Sequence, residues 1–320
     1  MERIGVLTSG GDASGMNACI RAVVRTAVSR GVAVVGIRRG YDGLIRGDAV
    51  PMDAESVGGI LNRGGTLLYT ARSSRFLSRE GQQEAVDSLS RLGIEGLVII
   101  GGEGSLRGAR ALGSDWGVPV VGVPATIDND VAGTDFAIGF DTAVNVALEA
   151  IDKIRDTAAS HERVFVIEVM GREVGFIALE VGLAGGAEAI LLPEVPVDLD
   201  AVSQRIVEGR RRGKTSSIIV VAEGCCSAVE VGRRIHERTG LETRETILGH
   251  IQRGGTPTAR DRVLAARLGH AAVEQLLQGR RAAMVGVSGS AVQASDIDAA
   301  WKIGKTIDLS LYRLAQVLAI

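Results

Sequence analysis

Short apolar runs recur along the chain, and amphipathic segments separate them. The runs are rich in Val and Ile, and most of them end at a glycine, which is typical of strands buried in a parallel sheet. We therefore predict strands at Arg3–Thr8, Val32–Ile37, Gly96–Ile100, Val118–Val123, Val164–Val169, Ile190–Leu192, Ser217–Ala222 and Met284–Val287.

The segments between these runs have the periodicity of helices. In the clearest one, from Thr142 to about Ser160, apolar residues recur at spacings of three and four, as on one buried helix face. Further helices are predicted at Leu199–Arg212, Ala228–Thr239 and Ala259–Gln278, with another at the C-terminus. Alternating strands and helices predict an α/β protein with two lobes, each a three-layer α/β/α arrangement around a mostly parallel, doubly wound sheet.

The length of 320 residues suggests two domains, because a domain usually takes roughly 150 residues. No Pro- or Ser-rich linker marks the boundary. Arithmetic alone places it near residue 140, which gives lobes at 1–140 and 141–320, and the C-terminal segment could return to the first lobe.

Composition excludes several classes of protein. Hydrophobic residues make up 46% and charged residues 23%, so the chain should fold by itself. With 36 Lys and Arg against 38 Asp and Glu, the net charge is −2, and no general basic field favours nucleic acid or a membrane surface. Aromatic residues are only 3%, too few for single-strand nucleic-acid binding by stacking.

The cysteines indicate a reducing compartment. There are three, Cys19, Cys225 and Cys226, without a C-x-x-C spacing, so neither a disulfide framework nor a zinc site is expected. The apolar runs are also far too short to span a bilayer. We expect a cytoplasmic protein.

Two predicted strands end in glycine-rich turns that open a helix, TSGGDASGMN at 8–17 and GGEGSLRG at 101–108. Backbone N–H groups in such turns can hold phosphate at the positive end of a helix dipole, although a purely structural turn is as good an explanation for the first. Neither turn matches the P-loop or the dinucleotide fingerprint. Glu103 could hold Mg²⁺ beside these phosphates, or could simply be an acid at a helix N-terminus.

A third strand end carries two carboxylates, Asp128 and Asp130, in the segment PATIDND at 124–130. One such group can accept a proton while its neighbour organises a metal or orients it. Turn and N-cap aspartates are the alternative explanation.

Arginine and histidine residues cluster at further strand ends and glycine turns, in the segments HER at 161–163, MGR at 170–172, TR at 243–244 and HIQRGG at 250–255. In a chain of net charge −2 these indicate a local anion site. Two glycine turns, an acidic turn and this cluster together predict phosphoryl transfer between two phosphorylated ligands.

The chain resembles the bacterial 6-phosphofructokinases over essentially its whole length. The motifs that carry the resemblance are, in order, IGVLTSGGDASGMNA, LNRGGT, TARSSRF, IGGEGS, TIDND, GTDFAIGFDTA, SHER, IEVMGR, ETRETILGHIQRGG and DRVLA. The resemblance implies a cytoplasmic homotetramer that phosphorylates fructose 6-phosphate at its 1-hydroxyl with Mg-ATP in glycolysis. It also implies a nucleotide-binding lobe at 1–140 and a sugar-phosphate-binding lobe at 141–320.

The resemblance also implies roles for individual residues. Asp128 would be the base, Thr126 and Asp130 would arrange substrate and metal, and Arg72 and Arg172 would neutralise the transferring phosphoryl group. The nucleotide side would comprise Gly11, Tyr41, Arg72, Gly102, Gly104, Ser105 and Gly108, with Glu103 at the metal. The sugar-phosphate side would comprise Thr126, Asp128, Met170, Gly171, Arg172, Glu223, His250 and Arg253, with Arg163 and Arg244 reaching over from a neighbouring subunit.

Several positions depart from the commonest bacterial pattern. Glu103 replaces the usual Asp, and Ala125 replaces the usual Gly. Pyrophosphate-using relatives carry Asp where this chain has Gly104 and Lys where it has Ala125, so we expect ATP to be the donor. A pyrophosphate-dependent kinase and a non-catalytic sugar-phosphate sensor are the alternatives.

A second, intersubunit site for ADP or phosphoenolpyruvate is also implied by the resemblance. The residues that match it are Arg21, Arg25, Arg155, Glu188, Arg212 and Lys214. Ala54 and Gly59 do not match its usual Arg and Asp, so we expect an effector site with a weakened or altered response.

Overall fold

The computed structural model describes residues 1–319, which divide into two units. The first unit consists of Met1–Thr142 and Arg253–Lys305. The second consists of Ala143–Gln252 and the segment from Thr306 to the end of the described residues. The chain therefore leaves the first unit, returns to it at Arg253 and leaves it again after Lys305.

Strands and helices alternate along the chain. The strands are β1 (Arg3–Ser9), β2 (Ala33–Ile37), β3 (Ala49–Met52), β4 (Gly96–Gly101), β5 (Val120–Pro124), β6 (Val164–Val169), β7 (Ala189–Leu191), β8 (Ser217–Ala222), β9 (Thr243–Ile247), β10 (Ala283–Ser288) and β11 (Ala291–Asp296). The helices are α1 (Met16–Ser29), α2 (Gly40–Arg46), α3 (Arg79–Leu92), α4 (Glu103–Arg110), α5 (Phe140–His161), α6 (Phe176–Ala184), α7 (Leu199–Arg211), α8 (Ala228–Thr239), α9 (Ala259–Leu277), α10 (Ala299–Lys302) and α11 (Leu309–Leu318).

The first unit contains a sheet in the order β11-β10-β5-β4-β1-β2-β3, seven strands within the described residues. The strands from β10 to β2 pair in parallel, whereas the edge strands β11 and β3 are antiparallel. Leu97 and Ile99 of β4 pack in one core cluster with residues of α2, α3 and α4. Val98 and Ile100 alternate with them and are fully buried on the opposite face, where Leu276 of α9 lies against β4. Helices therefore cover both faces, as expected for a parallel sheet.

The second unit contains a smaller sheet in the order β7-β8-β6-β9, four strands in the part of the chain that the structure describes. All of its pairings are parallel. Val166 of β6 and Ile219 of β8 pack in one core cluster with residues of α7 and α8. The α/β class and the two mostly parallel sheets predicted from the hydrophobic pattern are confirmed.

Every strand predicted from an apolar run lies in the structure, with boundaries shifted by at most a few residues. The strands that the pattern missed are β3, β9 and β11, and each lies at an edge of its sheet. β9 and β11 contain no buried residue and lack a continuous apolar run; β9, for example, is TRETI. Among residues 1–319, no helix combines the length and the apolar character needed to cross a bilayer.

Candidate functional site

The carboxyl ends of β1, β4 and β5 lie side by side in the first sheet. Ser9 of β1 is in register with Gly101 of β4, and Gly101 is in register with Pro124 of β5. The two glycine turns and the acidic turn follow directly after these residues. Because parallel strands present these ends at one edge, ligands of such sheets bind there, and the structure brings the three predicted turns together at that edge.

The first glycine turn depends on two glycines with left-handed backbone, Gly10 at φ 85° and Gly15 at φ 114°. Asn17, in the first turn of α1, ties this turn to a neighbouring loop. Its Nδ2 donates to the carbonyl oxygens of Arg63 and Gly64, both at 3.1 Å, and its Oδ1 accepts from the backbone N–H of Leu67 at 2.6 Å.

The same loop is held at two further points. The Thr8 hydroxyl donates to the Tyr69 carbonyl at 2.9 Å and shares a hydrogen bond of 2.8 Å with the Thr66 hydroxyl. The Thr70 hydroxyl donates to the Gly10 carbonyl at 2.6 Å. Arg72, two residues beyond Thr70, is exposed. These contacts fix the backbone of the loop segment that precedes Arg72.

Arg253 also lies at the first glycine turn. Its Nη1 donates to the Asp12 carbonyl at 3.1 Å, and a Cβ built on Gly11 would lie 2.5 Å from the same nitrogen. Only a glycine lets the guanidinium approach this closely. Arg253, expected among the sugar-phosphate residues, is thus brought to a turn expected to bind nucleotide.

The second glycine turn opens α4 and packs on Tyr41. The Tyr41 hydroxyl donates to the Ser105 carbonyl at 2.5 Å, and a Cβ on Gly108 would lie 2.6 Å from the tyrosine Cζ. Burial raises the pKa of Tyr41 well above its usual value, so this side chain acts as a neutral hydrogen-bond donor. Gly102 has a different setting, since a Cβ there would make only ordinary contacts with Thr126.

Glu103 and Gly104 begin α4 beside open space. A Cβ on Gly104 would meet nothing within 4 Å. Glu103 forms an ion pair with Arg107 at 2.7 Å, and both side chains are substantially exposed, so this pair holds the carboxylate weakly. Within residues 1–319 no group of three or more acidic, His or Cys side chains forms a preassembled metal cage. A single, weakly held carboxylate fits Mg²⁺, which in phosphoryl transfer takes one or two carboxylates and completes its shell with phosphates and water.

The acidic turn after β5 is folded back on itself. The Thr126 hydroxyl accepts from the Asp128 backbone N–H at 3.2 Å and donates to Asp128 Oδ2 at 3.3 Å. Asp128 is fully buried and Thr126 nearly so. Asn129 stands between the two aspartates with a left-handed φ of 53°, which turns the backbone after Asp128. The structure therefore gives Asp128 a hydroxyl partner and a defined orientation.

In the second unit, the carboxyl ends of β6 and β8 are joined by Glu223. Its Oε1 accepts from the backbone N–H groups of Gly171 at 3.2 Å and Arg172 at 2.8 Å. Arg172 has a left-handed φ of 54°. Met170 donates its backbone N–H weakly to Gln252 at 3.4 Å, in the short helical turn Gly249–Arg253 that also carries His250. Four expected sugar-phosphate residues, Met170, Gly171, Arg172 and Glu223, are thus brought together.

Arg163 and Arg244 lie at the opposite end of the same sheet. Arg163 immediately precedes β6, whereas Arg172 follows it, and six strand residues span about 20 Å. Both Arg163 and Arg244 form ion pairs with Glu242, the former at 2.7 Å. Within one chain, therefore, these two arginines do not join Arg172 at one ligand.

The family model described as Phosphofructokinase matches residues 3–276, which is most of the chain. The chain belongs to the phosphofructokinase family.

Close relatives of this phosphofructokinase family member are bacterial. It is 59% identical over 322 residues to "ATP-dependent 6-phosphofructokinase 1" of Thermus thermophilus and 56% identical over 320 residues to "ATP-dependent 6-phosphofructokinase" of Bacillus subtilis, each pair aligned over 100% of both chains. A solved structure of phosphofructokinase from Saccharomyces cerevisiae matches with a TM-score of 0.92 at 36% identity. That match covers 100% of this chain and 48% of the yeast chain.

The residues expected at the effector site fall in both units of this phosphofructokinase. Arg21 and Arg25 lie on α1 in the first unit. In the second unit, Lys214 forms an ion pair with the buried Glu188 at 2.7 Å. Arg155 donates to the Gly186 carbonyl at 3.0 Å and also to the Gly185 carbonyl, and Arg212 directly follows α7. The structure therefore assembles Arg155, Glu188 and Lys214 around the turn before β7.

One residue at the acidic turn was not among the expected site residues. Lys305 donates from Nζ to the Asp135 carbonyl at 2.8 Å, and its ammonium also interacts with the carboxylates of Asp135 and Asp130. Ala125 supplies no cation to this turn, but Lys305 brings one from 170 residues along the chain. No local sequence pattern identifies Lys305 as a residue of this site, because in the sequence it is distinguished only as one of the few lysines.

Proposed function

We propose that this chain is an ATP-dependent 6-phosphofructokinase, which transfers the γ-phosphoryl group of ATP to the 1-hydroxyl of fructose 6-phosphate in cytoplasmic glycolysis. The observation that carries this proposal is the register of β1, β4 and β5, which aligns both glycine turns with the turn of Asp128. The two bacterial relatives aligned over their full length bear the name of this activity.

Asp128 is the base that accepts the proton of the sugar 1-hydroxyl. Its burial and its hydrogen bond to Thr126 support this role, because they orient the carboxylate for accepting a proton. Thr126 orients Asp128, and Asp130 arranges substrate and metal from the same turn.

Arg72 and Arg172 neutralise charge on the transferred phosphoryl group. Guanidinium groups suit this role because they present several donors to phosphate oxygens and stay charged. The left-handed backbone of Arg172, held by Glu223, supports a fixed direction for its side chain. Arg72 projects from a loop anchored at Thr70.

The nucleotide binds over the glycine turns. Gly11, Gly102, Gly104 and Gly108 allow close approach of phosphates or of packed side chains, while Tyr41 and Ser105 fix the start of α4. Glu103 would hold Mg²⁺, which neutralises charge on the nucleotide phosphates when bound. The open space at Gly104 supports ATP as the donor, since a bulkier residue there would occupy it.

The sugar phosphate binds in a site completed by a second subunit. Met170, Gly171, Arg172, Glu223, His250 and Arg253 contact it from one chain. The separation of Arg163 and Arg244 from Arg172 by the length of β6 supports their contacting the 6-phosphate of a neighbouring chain's ligand. A homotetramer is the assembly that we propose.

ADP or phosphoenolpyruvate binds a separate site formed by Arg21, Arg25, Arg155, Glu188, Arg212 and Lys214.

The test is formation of fructose 1,6-bisphosphate by the purified protein with Mg²⁺ and fructose 6-phosphate, with ATP in one assay and pyrophosphate in the other. We expect turnover with ATP alone. Turnover with pyrophosphate alone would overturn the choice of donor, and sugar-phosphate binding without turnover from either donor would indicate a sensor. Adding phosphoenolpyruvate or ADP tests the effector site, which an unmoved fructose 6-phosphate saturation curve would contradict.

A further inference from the structure

Lys305 is the last residue of the first unit, at the point where the chain leaves it. Its Nζ donates to the backbone carbonyl oxygen of Asp135 at 2.8 Å. The other three lysines form ion pairs with carboxylates elsewhere: Lys153 with Glu149, Lys214 with Glu188 and Lys302 with Asp298. Lys305 alone among them bonds to the segment that follows the acidic turn.

The carbonyl that Lys305 holds is also an anchor of Asn129. Asn129 Nδ2 donates to the same Asp135 oxygen at 3.2 Å, and Asn129 Oδ1 accepts from the Ala137 backbone N–H at 2.9 Å. Asn129 is the residue whose left-handed backbone separates Asp128 from Asp130. The ammonium group therefore contacts the oxygen that helps to set the conformation between the two aspartates.

The charge of Lys305 acts on this turn as well. Partial burial lowers the pKa of Lys305 to about 8, although the neighbouring carboxylates of Asp135 and Asp130 oppose this shift. The side chain is therefore cationic at neutral pH. Its ammonium group therefore places a positive charge beside the carboxylates of Asp135 and Asp130.

We infer that Lys305 is a positioning residue for phosphoryl transfer: it fixes the Asp135 carbonyl and, through Asn129, the orientation of Asp128 and Asp130. This inference rests on the proposed function, in which Asp128 accepts the proton. Lys305 touches neither substrate in this assignment, so its removal should affect alignment in the transition state more than binding of ATP or fructose 6-phosphate.

The experiment compares Lys305→Met, Lys305→Gln and Lys305→Arg with the wild-type protein in steady-state assays with ATP. We expect Lys305→Met to lower kcat by about 10- to 100-fold, because a misplacement of about 1 Å can cost that much. The KM values for both substrates should change much less. Lys305→Arg, which keeps the charge and can donate to a carbonyl, should recover more of kcat than the uncharged Lys305→Gln.

Lys302→Met is the matched control, because Lys302 lies three residues away and pairs with Asp298 on the surface. It should keep the wild-type kcat. If Lys305→Met also keeps the wild-type kcat, the inference is overturned while the proposed function stands. The same conclusion follows if Lys305→Arg and Lys305→Gln have equal kcat values. If Lys305→Met does not fold, the comparison of kcat between Lys305→Arg and Lys305→Gln tests the inference instead. A wild-type protein inactive with ATP would instead contradict the proposed function.

Discussion

The Tyr41 hydroxyl donates to the carbonyl oxygen of Ser105 at 2.5 Å, across the start of α4. The Tyr41 ring stacks on Phe76 with a centroid separation of 4.0 Å. Gly108 also lies close to this ring, because a Cβ there would be 2.6 Å from Cζ. The absence of a side chain at 108 is therefore a condition for this packing and for the placement of the second glycine turn.

Gly108→Ala should destabilise the protein and weaken ATP binding. The added methyl group overlaps the Tyr41 ring, and overpacking of this kind typically costs about 1–3 kcal/mol. Displacing Tyr41 would also shift Ser105 and the turn proposed to hold the nucleotide. Chemical denaturation measures the first effect, and the KM for ATP measures the second.

Gly104→Ala is the matched glycine variant in the same helix. A Cβ there meets nothing within 4 Å, and alanine favours a helix over glycine by about 0.5–1 kcal/mol. We expect unchanged or slightly raised stability together with a raised KM for ATP, since the methyl group enters the proposed nucleotide space. Equal stability of the two variants would contradict the packing argument for Gly108.

Asp128→Asn should lower kcat by about 10²- to 10⁴-fold, the usual contribution of general base catalysis. The amide keeps the size of the side chain but cannot accept the proton of the sugar hydroxyl. Fructose 6-phosphate binding, measured by calorimetry, should be largely preserved. Asp152→Asn, at an exposed position on α5, is the control. Turnover within a few-fold of wild type would remove Asp128 from its proposed role.

The sequence predicts the buried strands better than the exposed ones. Central strands such as β4 are buried on both faces, so their apolar runs are continuous and readily recognised. In β9 and β11 exposed and partly buried positions alternate or mix, and neither strand contains a buried residue. The return of Arg253–Lys305 to the first unit depends on long-range packing, which leaves no mark in local periodicity.

In the candidate site, too, the local features are predictable from the sequence and the long-range contacts are not. The three turns were placed at strand ends by the sequence, and the register of β1, β4 and β5 brings them together. The contacts of Lys305 with Asp135 and of Arg253 with Asp12 link residues 170 and 241 positions apart. No spacing rule connects such distant positions, so side chains that support the site from remote segments become visible only in the structure.

Cys225 should react with an alkylating reagent before the other two cysteines. The Cys226 thiol donates to the Cys225 sulfur at 3.6 Å, and this hydrogen bond lowers the pKa of Cys225 and raises that of Cys226. Cys19 is fully buried, and burial raises its pKa, so it serves as an internal control. Since the thiolate is the reactive form, iodoacetamide labelling followed by peptide mass spectrometry should find Cys225 modified first.

Cys226→Ala removes the donor and should shift the alkylation midpoint of Cys225 to higher pH. The labelling rate at neutral pH should fall accordingly. Equal rates at Cys225 and Cys226 in the wild-type protein would show that the hydrogen bond does not control reactivity.

Asp261 fixes the start of α5 in the first unit, and Asp261→Asn should loosen it. This buried carboxylate accepts from the backbone N–H groups of Gly139 at 2.9 Å and Thr142 at 2.8 Å, and from the Thr142 hydroxyl at 2.5 Å. An amide can accept at only one of its two terminal atoms, so at least one donor loses its acceptor. The expected loss is about 1–3 kcal/mol of unfolding free energy, measured by denaturation and compared with the exposed Asp152→Asn.

The difference in stability between the wild-type protein and Asp261→Asn should depend on pH. Burial raises the pKa of Asp261 above its usual 3.8, so the folded chain binds this proton more tightly than the unfolded chain. Its contribution to stability is therefore fully present below pH 3.8 and declines as the pH rises through the raised pKa. Asn at 261 has no such proton, so the deficit relative to wild type should grow as the pH falls toward 3.8. A deficit that shrinks on acidification would mean that the charged carboxylate is the form the folded chain prefers.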